Sequence, residues 1–116
     1  MTEDCCDPLY RKAIRVSVGA TLKVPFARFG DTEALAAALQ ARGFSLLALS
    51  PRGEIDIAEV ERTQRDALLL GSEGHGLSHD DMTRLPTARI AMAADFDSLN
   101  VAAASAIALH RLWRKG

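Results

Sequence analysis

"LLLGSEGHGLS", residues 68–78, decides how this chain reads. A run of leucines stops at Gly71, glycines recur at 74 and 76, and one carboxylate, Glu73, stands among them. The apolar run "ALLL" (67–70) reads as a strand covered on both faces. The glycines that follow let main-chain N–H and C=O groups approach a ligand with no Cβ in the way. The order G-x-x-G-x-G is not the dinucleotide fingerprint, and it lies past the middle of the chain rather than in a first βαβ unit. No Lys-Ser/Thr pair follows, which excludes a P-loop. On its own such a loop reads better as a structural tight turn.

On the N-terminal side, "FSLLALS" (44–50) is a second continuous apolar run, hence a second covered strand. Before it, Asp31 opens the helix "TEALAAALQAR" and Gly43 closes it. Earlier still, Asp7-Pro8 starts a helix that Gly19 ends, and "TLKVP" (21–25) reads as a short strand stopped by Pro25. Residues 51–66 are polar, with Ile55, Ile57 and Val60 as the anchors of a loose surface crossing.

On the C-terminal side, Ser78 and Asp81 make a capping box for a short helix ended before Pro86. "ARIAM" (88–92) is a strand and "AADFD" a loop, after which Ser98 caps a last helix over residues 99–114. That helix is apolar nearly all round until Ala108, so its first half is expected to be buried on every side. Strands alternating with helices predict an α/β domain with a mostly parallel sheet flanked by helices. Ligands of such sheets gather beyond the carboxyl ends of the strands, here at Ser50–Gly53, Gly71–Ser78 and Ala93–Ser98.

The 116 residues suffice for one domain with a real core, and at 48% hydrophobic but 5% aromatic that core is aliphatic. A net charge of −1 excludes a global basic footprint for nucleic acid. Positive charge is nevertheless clustered. Arg11, Lys12, Arg15, Lys23 and Arg28 lie within residues 8–30 with no acid among them, and Arg111, Arg114 and Lys115 close the chain. Solvated charge with a C-terminal complement to the helix dipole, and a phosphate-facing strip, explain this equally well. Cys5 and Cys6 are adjacent and alone; neighbours rarely bridge, and two thiols make no zinc site, so the setting is reducing and cytoplasmic. No apolar run reaches membrane-spanning length and no signal peptide opens the chain.

"RIAMAADFDSLNVAAASAIALHRL" adds the second signal: a strand joined to an apolar helix through an acidic loop ending Ser98-Leu99-Asn100. A helix start presenting these polar groups beside free N–H groups is a natural polar pocket. An amide heading so apolar a helix also needs a partner. With "LLLGSEGHGLS" and "RIAMAADFDSLNVAAASAI" in this order, the chain resembles the SpoU (TrmH-type) RNA 2′-O-ribose methyltransferases of the SPOUT superfamily. These two stretches are similar to the family's second and third motifs, and "DPLYRKAIRVSVGA" to a segment upstream of them.

The resemblance implies an α/β trefoil knot over about residues 68–114, with S-adenosyl-L-methionine held bent between its loops, largely by backbone. Gly71, Ile90 and Leu99 match the family's cofactor contacts, with Leu49, Gly74, Met92 and Asn100 beside them. Glu73 matches the motif glutamate that orders the knot and the active site, joined on the catalytic side by Ser98 and Asn100. The implied partners are ribosomal or transfer RNA and a second copy of the chain, with no metal and no membrane. His75 and His79 fall where the family tolerates many residues and read as surface groups; His110, near a helix end, reads as a dipole partner.

Two departures stand out. Position 91 is Ala where the family usually has Pro. The family's first motif, an Asn followed by an Arg on an early helix, is not found, and Arg15 imitates it only superficially. Residues 1–116 are therefore expected to be the cofactor-binding part of a SpoU-type domain lacking an N-terminal strand–helix portion. Two other functions compete: a non-catalytic knotted domain for dimerisation or RNA binding, and an unrelated nucleotide-binding α/β domain.

Overall fold

An apolar run without alternation belongs in the middle of a sheet. In the computed structural model, which describes residues 1–113, Ser45–Leu49 (β1) is such a strand, with Leu46, Leu47 and Ala48 all buried. Ile55–Asp56 (β2), Asp66–Leu70 (β3) and Thr87–Arg89 (β4) complete a four-stranded sheet in the order β2-β4-β1-β3, every pairing parallel. β1 aligns Ser45 with Asp66 and Leu49 with Leu70 on one side, and Leu49 with Ala88 on the other. The chain forms two compact units, Met1–Ala38 and a second from Leu39 onward that contains the whole sheet.

In the first unit, the helix expected from Asp7 begins later, at Arg11–Val16 (α1). The Asp7 carboxylate accepts from the Leu9 N–H at 2.9 Å, so it closes a turn of its own and Tyr10 precedes the helix. "TLKVP" is not a strand. Residues Ala20–Leu22 form a 3₁₀ turn, and the Lys23 and Val24 N–H groups bond to the Ala20 carbonyl. These donors are satisfied locally, so nothing is left for a strand partner to take up. Residues 1–3 instead run beside 29–30, through Phe29 N–H to Met1 O and Glu3 N–H to Gly30 O.

Helix Thr32–Gln40 (α2) starts as expected, with the Asp31 carboxylate accepting from Ala34 N–H at 2.8 Å. It ends in a paired C-terminal motif: Phe44 N–H reaches Leu39 O and Gly43 N–H reaches Gln40 O, with Gly43 at φ 77°. In the second unit His79–Arg84 (α3) keeps its expected capping box, Ser78 Oγ accepting from Asp81 N–H at 3.1 Å and donating to its carboxylate at 2.6 Å.

Three expectations are corrected by the sheet. The polar crossing 51–66 contains β2, whose two residues are too short to show a period, and it is pinned by the buried Ile57. β3 is half-buried rather than covered on both faces, because it is an edge strand with one neighbour. β4 stops at Arg89, since its partners' registers end there, and Ile90 leaves the sheet.

The last helix is Val101–Leu112 (α4), capped by Asn100 rather than Ser98. Its first half is not buried on every side. Ala102, Ala103, Ala106 and Ile107 are exposed, and full burial comes only at Ala108 and Leu112. One stripe of the helix meets the sheet, where Ala108 and Leu112 join Leu47, Ile57 and Ala88 in the core. The Arg111 guanidinium fastens its end to the carbonyls of Ala58 and Val60 at 2.6 and 3.3 Å. Uniform apolarity hid this one-sidedness from the sequence, because a helix with no polar face gives no phase. Full burial of this half would have made Ala103→Lys costly, but Ala103 is exposed in the single chain. That substitution is expected to shift its melting temperature by no more than about 2 °C, in keeping with a surface change within about 0.5 kcal/mol. Arg114, Lys115 and the expected helix end at 114 lie outside the described residues.

Candidate functional site

β1, β3 and β4 end side by side at Leu49, Leu70 and Arg89, and beyond these ends lies a cavity of about 710 Å³. Its volume is in the range that encloses a nucleoside-sized ligand. Leu49, Ile90, Met92 and Leu99 give it apolar walls, Gly71, Glu73 and Gly74 come from the loop after β3, and Ser98 and Asn100 from the entry to α4. All nine residues singled out in the sequence thus meet on one cavity. His75, read as a surface group, is exposed but also on its rim. Arg52 and Asp97 line it too, and only their place on strand-end loops could have flagged them.

Asn100 joins the two loops. Its side-chain oxygen accepts from the N–H groups of Ala102 and Ala103 at 2.9 and 3.3 Å, capping α4. With the oxygen so engaged, the amide nitrogen must point the other way, and it donates to Glu73 Oε1 at 3.2 Å. The cap thereby fixes which end of the amide meets the carboxylate. Glu73 also sits where a negative charge is favoured by the helix N-terminus. Ser98, displaced from the cap, has a hydroxyl with no partner among the described residues and is free to meet a ligand.

The glycine loop folds on itself: Gly76 N–H bonds to Ser72 O at 2.9 Å. A Cβ at Gly71 would overlap the backbone of Gly76 and Leu77. Gly71 is therefore bare first because the loop returns across it, not solely to admit a ligand. At Gly74 a Cβ would meet nothing within 4 Å, and that is where main chain lies open.

The wall after β1 is held from below. Gly53 is pressed against the Ala88 backbone, leaving no room for a side chain. Thr87 Oγ1 accepts from Glu54 N–H at 3.1 Å, and the Arg89 guanidinium donates to the carbonyls of Gly53 and Glu54 at 2.9 and 2.5 Å. Sequence reading passed over Thr87 and Arg89, because their partners are main-chain groups far along the chain. Arg89→Lys keeps the charge but not the planar nitrogen whose two N–H groups meet both carbonyls. It is expected to speed amide exchange at Arg52–Glu54 roughly tenfold, the loss of about one hydrogen bond. Unchanged exchange would show that the wall stands without Arg89.

A family model described as the SpoU rRNA Methylase family matches residues 1–110. The chain belongs to that family. An uncharacterized tRNA/rRNA methyltransferase of Mycobacterium tuberculosis is 43% identical over 97% of this chain and 41% of its own length. The chain thus spans about two fifths of the length of the curated relatives it matches. A structure solved to explain the 2-OH methylation of C/U34 on tRNA aligns at a TM-score of 0.82 with 31% identity, covering 90% of this chain and 68% of that one. The SpoU methyltransferase AviRb from Streptomyces viridochromogenes, in complex with AdoMet, aligns at 0.85 with 27% identity over 96% of this chain and 44% of its own. The parallel α/β sheet with flanking helices is the architecture of these SpoU methyltransferases. Among the described residues no helix is long and apolar enough to cross a membrane, and no group of three His, Cys, Asp or Glu could hold a metal ion.

Proposed function

We propose that this chain is the S-adenosylmethionine-binding part of an RNA 2′-O-ribose methyltransferase acting on ribosomal or transfer RNA. The observation that carries the reading is the single cavity at the strand ends, in which both motif loops meet. Its chemistry suits the cofactor. Apolar walls at Leu49, Ile90, Met92 and Leu99 accept an adenosine ring, open main chain at Gly74 offers backbone hydrogen bonds, and two carboxylates, Glu73 and Asp97, suit a cationic ligand. When bound, the cofactor supplies an electrophilic methyl carbon; the protein must hold it in line with a ribose hydroxyl and keep water away. Glu73 and Asn100 fix the two loops to one another, and Ser98 presents a hydroxyl at the cavity edge. The relative solved with AdoMet bound, and the one solved for 2-OH methylation, support the same assignment.

The same reading includes a trefoil knot formed by residues 68–114 and a homodimer. Exposed apolar side chains on the two flanks of α4, Ile107 at 45% and Leu109 at 57% exposure, support a second copy as their cover. Exposed, unbridged Cys5 and Cys6 suit a reducing, cytoplasmic setting. The alternative is a knotted domain that dimerises or binds RNA without transferring methyl groups.

Calorimetry with S-adenosylmethionine and its demethylated product tests the first step, with one competitive site per chain expected. Absence of binding would overturn the cofactor assignment. Radiolabelled methyl transfer to total RNA by the protein containing this chain, followed by nucleoside analysis, tests the second. Ribose 2′-O-methylation is expected; label on a base would overturn the position, and binding without transfer would favour the non-catalytic reading.

A further inference from the structure

We infer that the cationic face of α1 docks the phosphodiester backbone of the substrate RNA. The inference rests on the proposed action on RNA and adds the residues that hold it. Of the five cations between residues 8 and 30, Arg28 is taken up by the fold: its guanidinium donates to the carbonyls of Glu3 and Cys5 at 3.0 and 2.9 Å. Arg11, Lys12 and Arg15 are different. All three are exposed, and none makes a hydrogen bond or ion pair with a described residue. Arg11 and Arg15 are four apart and Lys12 and Arg15 three apart, so the three heads share one face of the helix.

That arrangement works against the helix it sits on. Like charges at these spacings repel. Two of the three lie in the first turn, where the helix dipole favours acids and where α1 has none. A six-residue helix has little propagation energy to offset either effect. Solvated surface charge is ordinarily mixed in sign or placed to suit the dipole; Arg15 in the last turn suits it, but Arg11 and Lys12 do not, and no acid stands among the three. The complement it lacks is a closely spaced row of anions, which is what an RNA backbone presents. The inner positions Ala13 and Ile14 are half-buried, so the outward face alone is left for a partner.

The test is fluorescence anisotropy of a labelled single-stranded RNA titrated with the chain across a range of potassium chloride concentrations. For Arg11→Gln/Lys12→Gln/Arg15→Gln the slope of log affinity against log salt is expected to fall by about 2, three contacts at roughly 0.7 each. Affinity at low salt should drop about tenfold or more. Arg11→Lys/Arg15→Lys should keep the slope, because phosphate is met here by charge. Calorimetric affinity for S-adenosylmethionine should be unchanged in both variants. The triple variant should melt no lower than wild type, since it removes repulsion, so a loss of RNA binding cannot come from unfolding. Equal slopes for wild type and triple variant would overturn this face as the dock while leaving RNA as substrate. Absence of RNA binding by the longer protein that contains this chain would overturn the reading on which the dock rests.

Discussion

Gly71→Val is expected to abolish S-adenosylmethionine binding and to lower the stability of the sheet-containing unit. The reason is steric and internal. A Cβ at this position overlaps the backbone of Gly76 and Leu77, so it meets main chain rather than the movable end of a side chain. The loop can accept valine only by opening the return between Ser72 and Gly76, which displaces Glu73 and Gly74 from the cavity. Overpacking of this kind costs about 1–3 kcal/mol, and the loss in affinity should be at least about a hundredfold, since a whole wall is rearranged. Gly74→Ala separates the ligand's demand from the loop's. Its Cβ enters open space, so the melting temperature should hold while affinity falls if the cofactor lies against that main chain. Calorimetry and thermal melting on the two variants read both effects. A Gly71→Val chain that binds and melts like wild type would show that the loop does not need its return.

What could be read beforehand follows from where the information is local. β1 declared itself because a central strand covered on both faces must be apolar at consecutive positions, as Leu46, Leu47 and Ala48 are. Ser78 with Asp81, and Asp31 before α2, were legible because a cap is a contact between residues three apart. β2 was not, because two residues carry no period and their pairing with Ala88 and Arg89 is fixed by chain more than thirty positions away. The cap of α4 was misplaced by two residues because Ser98 and Asn100 are both good caps, and only tertiary placement of Glu73 decides between them. Convergence of the strand-end loops on one cavity was expected from parallel topology. The clamp of Arg89 on Gly53 and Glu54 was not, since carbonyl partners leave no trace in side-chain identity.

The link between Glu73 and Asn100 can be separated from the cap by a reciprocal exchange. Asn100→Asp keeps an oxygen for the N–H groups of Ala102 and Ala103, and Asp caps as well as Asn, so α4 should still begin at Val101. What changes is the other end of the side chain. The amide that donated to Glu73 at 3.2 Å becomes a second carboxylate oxygen, so two negative charges face each other with no donor between them. The loop after β3 and the entry to α4 should then part, with S-adenosylmethionine affinity falling about tenfold to a hundredfold, the loss of roughly 1.5–3 kcal/mol typical of a hydrogen bond to a charged group. Glu73→Gln alone keeps an acceptor and should weaken binding less. The double variant Glu73→Gln/Asn100→Asp restores one donor and one carboxylate with the polarity reversed and the net charge of wild type. If the hydrogen bond is what couples the loops, its affinity should recover to within about threefold of wild type, and the double-mutant cycle should show an interaction energy of at least about 1 kcal/mol. Losses that simply add would mean that each residue meets the ligand independently. Helical content in circular dichroism, unchanged throughout, would confirm that the cap was left in place and that only the bridge was altered.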